Sequence, residues 1–182
     1  KKEIPLIVHL RGNHWEEIKM ARETLYKSLP KKIALQKWEE ISEKCFEGSK
    51  IILPICNFLS DIVTKRYPGK PVETLYQGIS PSNWFHADGM KLKHPCVGLL
   101  QSATIWDKTK EMLILTKVLE KIPNVTFYWV GDGPYRDKVL PKLEKFENFK
   151  WLGALEYPEK VRQFLNEIDV YALLSGIDMS PL

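Results

Sequence analysis

Six consecutive residues, Val125-Thr126-Phe127-Tyr128-Trp129-Val130, are β-branched or aromatic, and they run straight into Gly131-Asp132-Gly133-Pro134-Tyr135. Such a segment suits a strand buried on both faces, which requires a sheet covered on both sides. Gly131 and Gly133 then permit a sharp turn at the carboxyl end of that strand, just before a helical pattern begins at Tyr135. Open α/β sheets hold ligands at the carboxyl ends of their strands, so the turn is a candidate ligand loop. The same glycines also suit a tight strand-to-helix connection that binds nothing.

The pattern on either side extends this reading. Strand-like runs at Ile4–Leu10, Lys50–Ile55 and Val72–Tyr76 alternate with helical segments: one reaches about Glu47 with a break at Leu29-Pro30, and another runs to Tyr67 with Asn57 as its expected cap. Periodicity lapses from Gly78 to His94. A second series then follows: strand Cys96–Leu100, helix Lys108–Lys121, strand Val125–Val130, helix Tyr135–Phe146, strand Phe149–Leu152, helix Tyr157–Ile168 and strand Val170–Leu174. Strand-helix alternation predicts parallel sheets. The expected division is a first unit over 1–84, a linker over 85–94 and a second unit over 95–182. Each unit carries fewer strands than the roughly five or six of a mean sheet, so both are expected to be incomplete.

Composition removes several classes. At 44% hydrophobic and 27% charged, the chain is globular in type, with no apolar run near the roughly 20 residues that span a bilayer. It opens Lys1-Lys2-Glu3 with no secretory signal pattern, so a soluble, intracellular piece of a protein is expected. Cys45, Cys56 and Cys96 stand far apart in apolar surroundings and read as buried thiols. His9, His14, His86 and His94 fall in no recognised ligand spacing, so no metal site is expected. The net charge of +4 is spread through helices rich in both signs, which fits a solvated face and leaves affinity for anions or an anionic membrane surface open. No nucleic-acid-binding motif is present. A dinucleotide-dependent dehydrogenase is disfavoured, because its glycine fingerprint belongs after the first strand and position 136 is Arg.

Taken in order, Tyr76-Gln77-Gly78-Ile79-Ser80, Val97-Gly98-Leu99-Leu100, Lys110-Glu111, Val130-Gly131-Asp132-Gly133-Pro134, Trp151-Leu152-Gly153 and Ser175-Gly176-Ile177-Asp178 resemble the motif series of the group 1 glycosyltransferases. These are retaining glycosyltransferases of family 4 with the two-Rossmann-domain GT-B fold. The resemblance covers most of the chain and implies two Rossmann-type parallel-sheet units, an acceptor-side first and a donor-side second. It implies transfer of a sugar from a nucleotide-diphosphate sugar to a saccharide or lipid-linked acceptor, without metal or other cofactor. A cytoplasmic location, at the membrane face where the acceptor is lipid-linked, follows from the family alone.

The resemblance also distributes roles. Gly98, Lys108, Lys110, Gly131, Gly133, Trp151 and Asp178 are implied on the nucleotide-sugar side, with Asp178 at the donor sugar hydroxyls. Arg11 takes the position of a family histidine, with His9 as the other choice. Two departures stand out: the family's diphosphate-gripping Arg is Leu99 here, and the first Glu of its paired-Glu motif is Asp178, with the second expected beyond Leu182.

A physical case for an anion site stands beside the resemblance. With Asp107 as cap, Lys108 and Lys110 fall in the first turn of a helix, where the dipole disfavours cations by about 0.3 to 1 kcal/mol each and a bound phosphate would reverse the cost. Both lysines simply reaching into water is the competing reading. A sugar-nucleotide epimerase of the same architecture and a non-catalytic nucleotide-sugar-binding fragment stay open as functions.

Overall fold

A computed structural model describes residues 4–24 and 26–176, which divide into two compact units, 4–79 and 80–176. Asp178, implied at the donor sugar, lies outside the described residues.

In the first unit, β1 (Ile7–Leu10) pairs in parallel with β2 (Ile51–Pro54), in register from Ile7 against Ile51 to Leu10 against Pro54. Between them run α1 (His14–Thr24) and α2 (Leu29–Gly48), with Pro30 in the first turn of α2, where a missing N–H costs nothing. The expected strand at 72–76 is reduced to a bridge between Val72 and Ile52, continued by Glu73 N to Ile52 O at 3.1 Å and Leu75 N to Pro54 O at 2.8 Å. Helix α3 (Asn57–Arg66) is capped by Cys56, not Asn57 as expected. The Asn57 Oδ1 is engaged elsewhere, accepting from Thr74 and from Tyr76, each at 3.0 Å.

The core of this unit is a small apolar cluster, Leu10, Phe46, Ile52 and Val63, extended by aromatic rings. Trp15 lies against Phe46 and Tyr67, and the Arg66 guanidinium covers Trp15 at 4.5 Å. His14 sits edge-on to Trp38 and Phe46, and burial lowers its pKa below the ordinary value.

The second unit is a four-stranded parallel sheet in the order β5-β4-β3-β6, from β3 (Cys96–Leu100), β4 (Thr126–Val130), β5 (Phe149–Gly153) and β6 (Val170–Tyr171). Every residue of β4 is buried, as its unbroken apolar run requires. Successive side chains point to opposite faces. Phe127 and Trp129 therefore join Leu99, Met112, Leu115 and Leu143 beneath α4 (Trp106–Glu111), α5 (Leu115–Lys121) and α6 (Arg136–Leu143), whereas Tyr128 and Val130 join Cys96 and Phe164 beneath α7 (Glu159–Glu167).

The helix expected over 108–121 starts two residues earlier and is interrupted by a 3-10 turn at Met112–Ile114 between α4 and α5. Its N-cap is Ile105, so Asp107 falls in the first turn instead of capping it. The unit also begins earlier than expected, because 85–94 lies along α7. Ala87 N donates to Asn166 Oδ1 at 3.2 Å, Met90 N to Gln163 O at 3.2 Å, and the Arg162 guanidinium covers Phe85 at 4.1 Å. These bonds tie the stretch read as a linker into the second unit. Among the described residues no helix is long and apolar enough to cross a membrane.

Candidate functional site

Strands β3, β4 and β5 follow one another outward across the sheet, while β6 returns to the opposite side of β3. The strand order thus reverses between β3 and β6, and in open α/β sheets the crevice outside the carboxyl ends of such a pair is where ligands sit. An open groove of about 570 Å³ lies there, lined by Lys110, Glu111, Leu113, Ile114 and Lys117 after β3 and by Leu174 and Gly176 after β6. Ammonium groups and apolar side chains share its wall.

Lys110 is half-exposed and its Nζ meets Asp107 Oδ1 at 2.5 Å. That hydrogen bond raises its pKa above the ordinary value, so the ammonium stays charged at neutral pH. Asp107 therefore supplies the negative charge that the dipole argument assigned to a ligand, and an incoming anion would compete with it for Lys110. The Lys108 carbonyl accepts from Gln101 Nε2 at 3.0 Å. Opposite, Glu111 Oε2 accepts from Gly176 N at 2.8 Å, fixing the loop after β6 to the helix after β3. Ser175, between Leu174 and Gly176, has a buried hydroxyl with no hydrogen-bond partner among the described residues. The side chain of Gln101, 8% exposed, likewise leaves its Oε1 unpartnered. Buried polar atoms of this kind call for a partner.

The glycine turn has a different task from the groove. Gly131 has φ +145° and Gly133 φ +151°, backbone conformations that disfavour any side chain. A Cβ on Gly131 would overlap the Gln101 carbonyl oxygen, and one on Gly133 would lie 2.5 Å from the Ala103 carbonyl carbon. The room both glycines provide is thus filled by the backbone of the neighbouring loop. Their amides are engaged too: Gly131 N donates to Gly153 O at 2.8 Å and Gly133 N to Asp132 Oδ1 at 2.7 Å. The two loops continue the sheet past its strands, through Gln101 N to Val130 O at 3.0 Å and Ala103 N to Asp132 O at 2.9 Å. Trp151 braces the same turn, its Nε1 donating to Gly131 O at 2.8 Å with the Arg136 guanidinium 5.0 Å above the ring.

The remaining sequence-derived residues are scattered. Gly98 lies on the α7 side of β3, where a Cβ would stand 2.6 Å from Ile168 Cδ1 and 2.8 Å from Phe164 Cζ. Close packing accounts for it. Leu99, in the position of the family's Arg, is fully buried in the core and holds no place for a charge. In the first unit, His9 is exposed on β1, and Arg11 Nη2 donates to Gln77 Oε1 at 2.9 Å just beyond it. Sequence reasoning gave Lys117 no role and named Glu111 only within the Lys110-Glu111 motif. Their signal was present, since Lys110 and Lys117 are seven residues apart on one helical run, but the strand order that turns this face to the groove is not a local property.

The chain has the α/β fold of GT-B glycosyltransferases. No family model and no curated protein sequence matches it. Among solved structures it is similar to a mutant of S. aureus TarM in complex with Fondaparinux, alpha-GlcNAc-glycerol and UDP, at 14% identity and a TM-score of 0.57, with 74% of this chain and 27% of that chain covered. It is similar to the apo form of the lipopolysaccharide outer core galactosyltransferase WaaB, at 14% identity and a TM-score of 0.53, over 72% of this chain and 38% of that chain. The pneumococcal O-GlcNAc transferase GtfA in complex with UDP and GlcNAc is a third, at 13% identity and a TM-score of 0.51, over 76% of this chain and 28% of that chain. The chain thus spans well under half the length of the structures it matches.

Proposed function

We propose that the protein is a glycosyltransferase that moves a sugar from a nucleotide-diphosphate donor to a saccharide or lipid-linked acceptor. The observation that carries this reading is the groove at the reversal of strand order, walled by Lys110 and Lys117. In the reaction the bond from the anomeric carbon to the diphosphate oxygen breaks, leaving negative charge on the departing nucleoside diphosphate. Fixed cations aimed at that charge lower the barrier without a metal ion. Lys110 fills this role once the diphosphate displaces Asp107, with Lys117 as the second cation. Transfer with retention, membership of glycosyltransferase family 4 and a place at the cytoplasmic membrane face follow the sequence resemblance. Asp178 at the donor sugar and Arg11 or His9 on the acceptor side belong to the same proposal.

Titration of the full-length protein with UDP, with ADP and GDP as alternatives, tests the reading. Lys110→Met should weaken nucleotide binding about ten- to a hundredfold, the loss expected when one charge-assisted hydrogen bond is removed. Asp107→Asn should act in the opposite sense, strengthening binding by up to about fivefold, because it releases Lys110 from an exposed internal ion pair. Equal affinity in all three proteins would remove Lys110 from the site. A non-catalytic sugar-nucleotide binder is the second reading, favoured by the buried Leu99 in place of the family's Arg. Binding without transfer from a labelled nucleotide sugar would select it.

A further inference from the structure

At the other end of the β3/β6 pair, the amino ends of the two strands bring together His94, Cys96 and Asp169. His94 Nδ1 lies 2.9 Å from Asp169 Oδ2 and 3.7 Å from Cys96 Sγ, and the three donor atoms fall within 4.8 Å of one another. We propose that these side chains form a binding site for a divalent transition metal ion of the zinc or cobalt type.

The geometry is close to what such an ion requires. Bonds of about 2.0 to 2.3 Å in a tetrahedral shell set neighbouring donors about 3.3 to 3.7 Å apart. The Nδ1–Sγ separation already fits, the Nδ1–Oδ2 separation has to open by about 0.4 Å, and the carboxylate and the thiol have to close by up to about 1 Å. The second ring nitrogen supplies an independent argument. His94 Nε2 lies 2.8 Å from Glu167 Oε1 and Nδ1 2.9 Å from Asp169 Oδ2, so both ring nitrogens face carboxylates; an ion would take the place of the Nδ1 proton, while Glu167 held the remaining proton on Nε2 and fixed the ring. Asp169 Oδ2 also accepts from Cys96 N at 2.7 Å, which orients the carboxylate. Access is open on one side only, because His94 and Asp169 are 42% and 46% exposed while Cys96 is 1% exposed. A thiolate with an imidazole selects zinc or cobalt over magnesium or calcium.

Sequence spacing hides the set. His94 and Cys96 are two residues apart, but Asp169 arrives 73 residues after Cys96 and only through the parallel pairing of β3 with β6. The site stands at the opposite end of these strands from the groove, so it neither needs nor tests the proposed transfer.

The test is titration of the reduced, metal-free full-length protein with cobalt(II), followed by absorbance. A thiolate-to-cobalt charge-transfer band saturating at one equivalent, and displaced by zinc, is expected. Cys96→Ser should abolish the band and His94→Gln should weaken cobalt binding at least tenfold, while Cys45→Ser and Cys56→Ser leave it unchanged. Glu167→Gln, which touches no ion, should weaken binding about tenfold and keep the band shape. Because Cys96 is buried and its replacement can disturb folding, the exposed His94→Gln variant decides where the circular dichroism of Cys96→Ser differs from that of the parent. Absence of the band in the parent, or an undiminished band in His94→Gln, overturns the proposal.

Discussion

Gly131→Ala should destabilise the second unit by about 2 to 6 kcal/mol, enough to leave it largely unfolded at 37 °C. Two costs combine. A side chain at φ +145° carries backbone strain, and its Cβ would overlap a carbonyl oxygen that cannot move away without breaking the loop. That carbonyl, on Gln101, is already the acceptor of the Trp129 indole at 2.8 Å. The loops at 101–104 and 131–135 would therefore separate together. Urea unfolding followed by tryptophan fluorescence reads the loss. Gly78→Ala is the matched control, since a Cβ there has nothing within 4 Å and its midpoint should not move.

The second large effect is expected at Trp129, which is fully buried on the face of the sheet covered by α4, α5 and α6. Trp129→Ala removes an indole from a close-packed cluster, at a cost of about 3 to 5 kcal/mol for the cavity. The Gln101 carbonyl also loses its donor, which adds about 1 to 3 kcal/mol if no water replaces it. Trp129→Phe separates the two terms, keeping most of the bulk while losing the indole N–H, and should cost about 1 to 3 kcal/mol. The same urea series measures both. A phenylalanine variant as stable as the parent would show that the bond to Gln101 contributes nothing.

These two positions show what the sequence could and could not reveal. The apolar run 125–130 specified a doubly covered strand, and all five residues of β4 are buried. The strand-helix alternation gave the parallel sheets, because both patterns are local. Contacts between loops are not local. Gly131 and Gly133 resemble a nucleotide loop in sequence, yet the nearest backbone to each belongs to 101–104, which reaches them only after β3 and β4 have paired in register. The strand expected at 72–76 has the composition for pairing but shares only one bridge with β2. Asn57 has the residue type of a cap, and the hydroxyls of Thr74 and Tyr76 take its oxygen instead. Lys110 was legible as a candidate cation; that Asp107 would pair with it depended on a helix starting at Trp106, and helix ends are the least local feature of a helical pattern. Glu111 and Ser175 stood in the sequence only as parts of the motif series, and Lys117 had no assigned role; the place of Lys117 and Glu111 on one groove wall depends on β6 lying on the far side of β3.

The most direct measurement is hydrogen-deuterium exchange of the full-length protein with and without saturating UDP. Slower exchange is expected across the helical run 106–121 and the loop 172–176, the two walls of the groove, with much smaller change at β1 and β2. Binding that leaves 106–121 and 172–176 unchanged while protecting another part of the chain would contradict a donor site at the reversal of strand order.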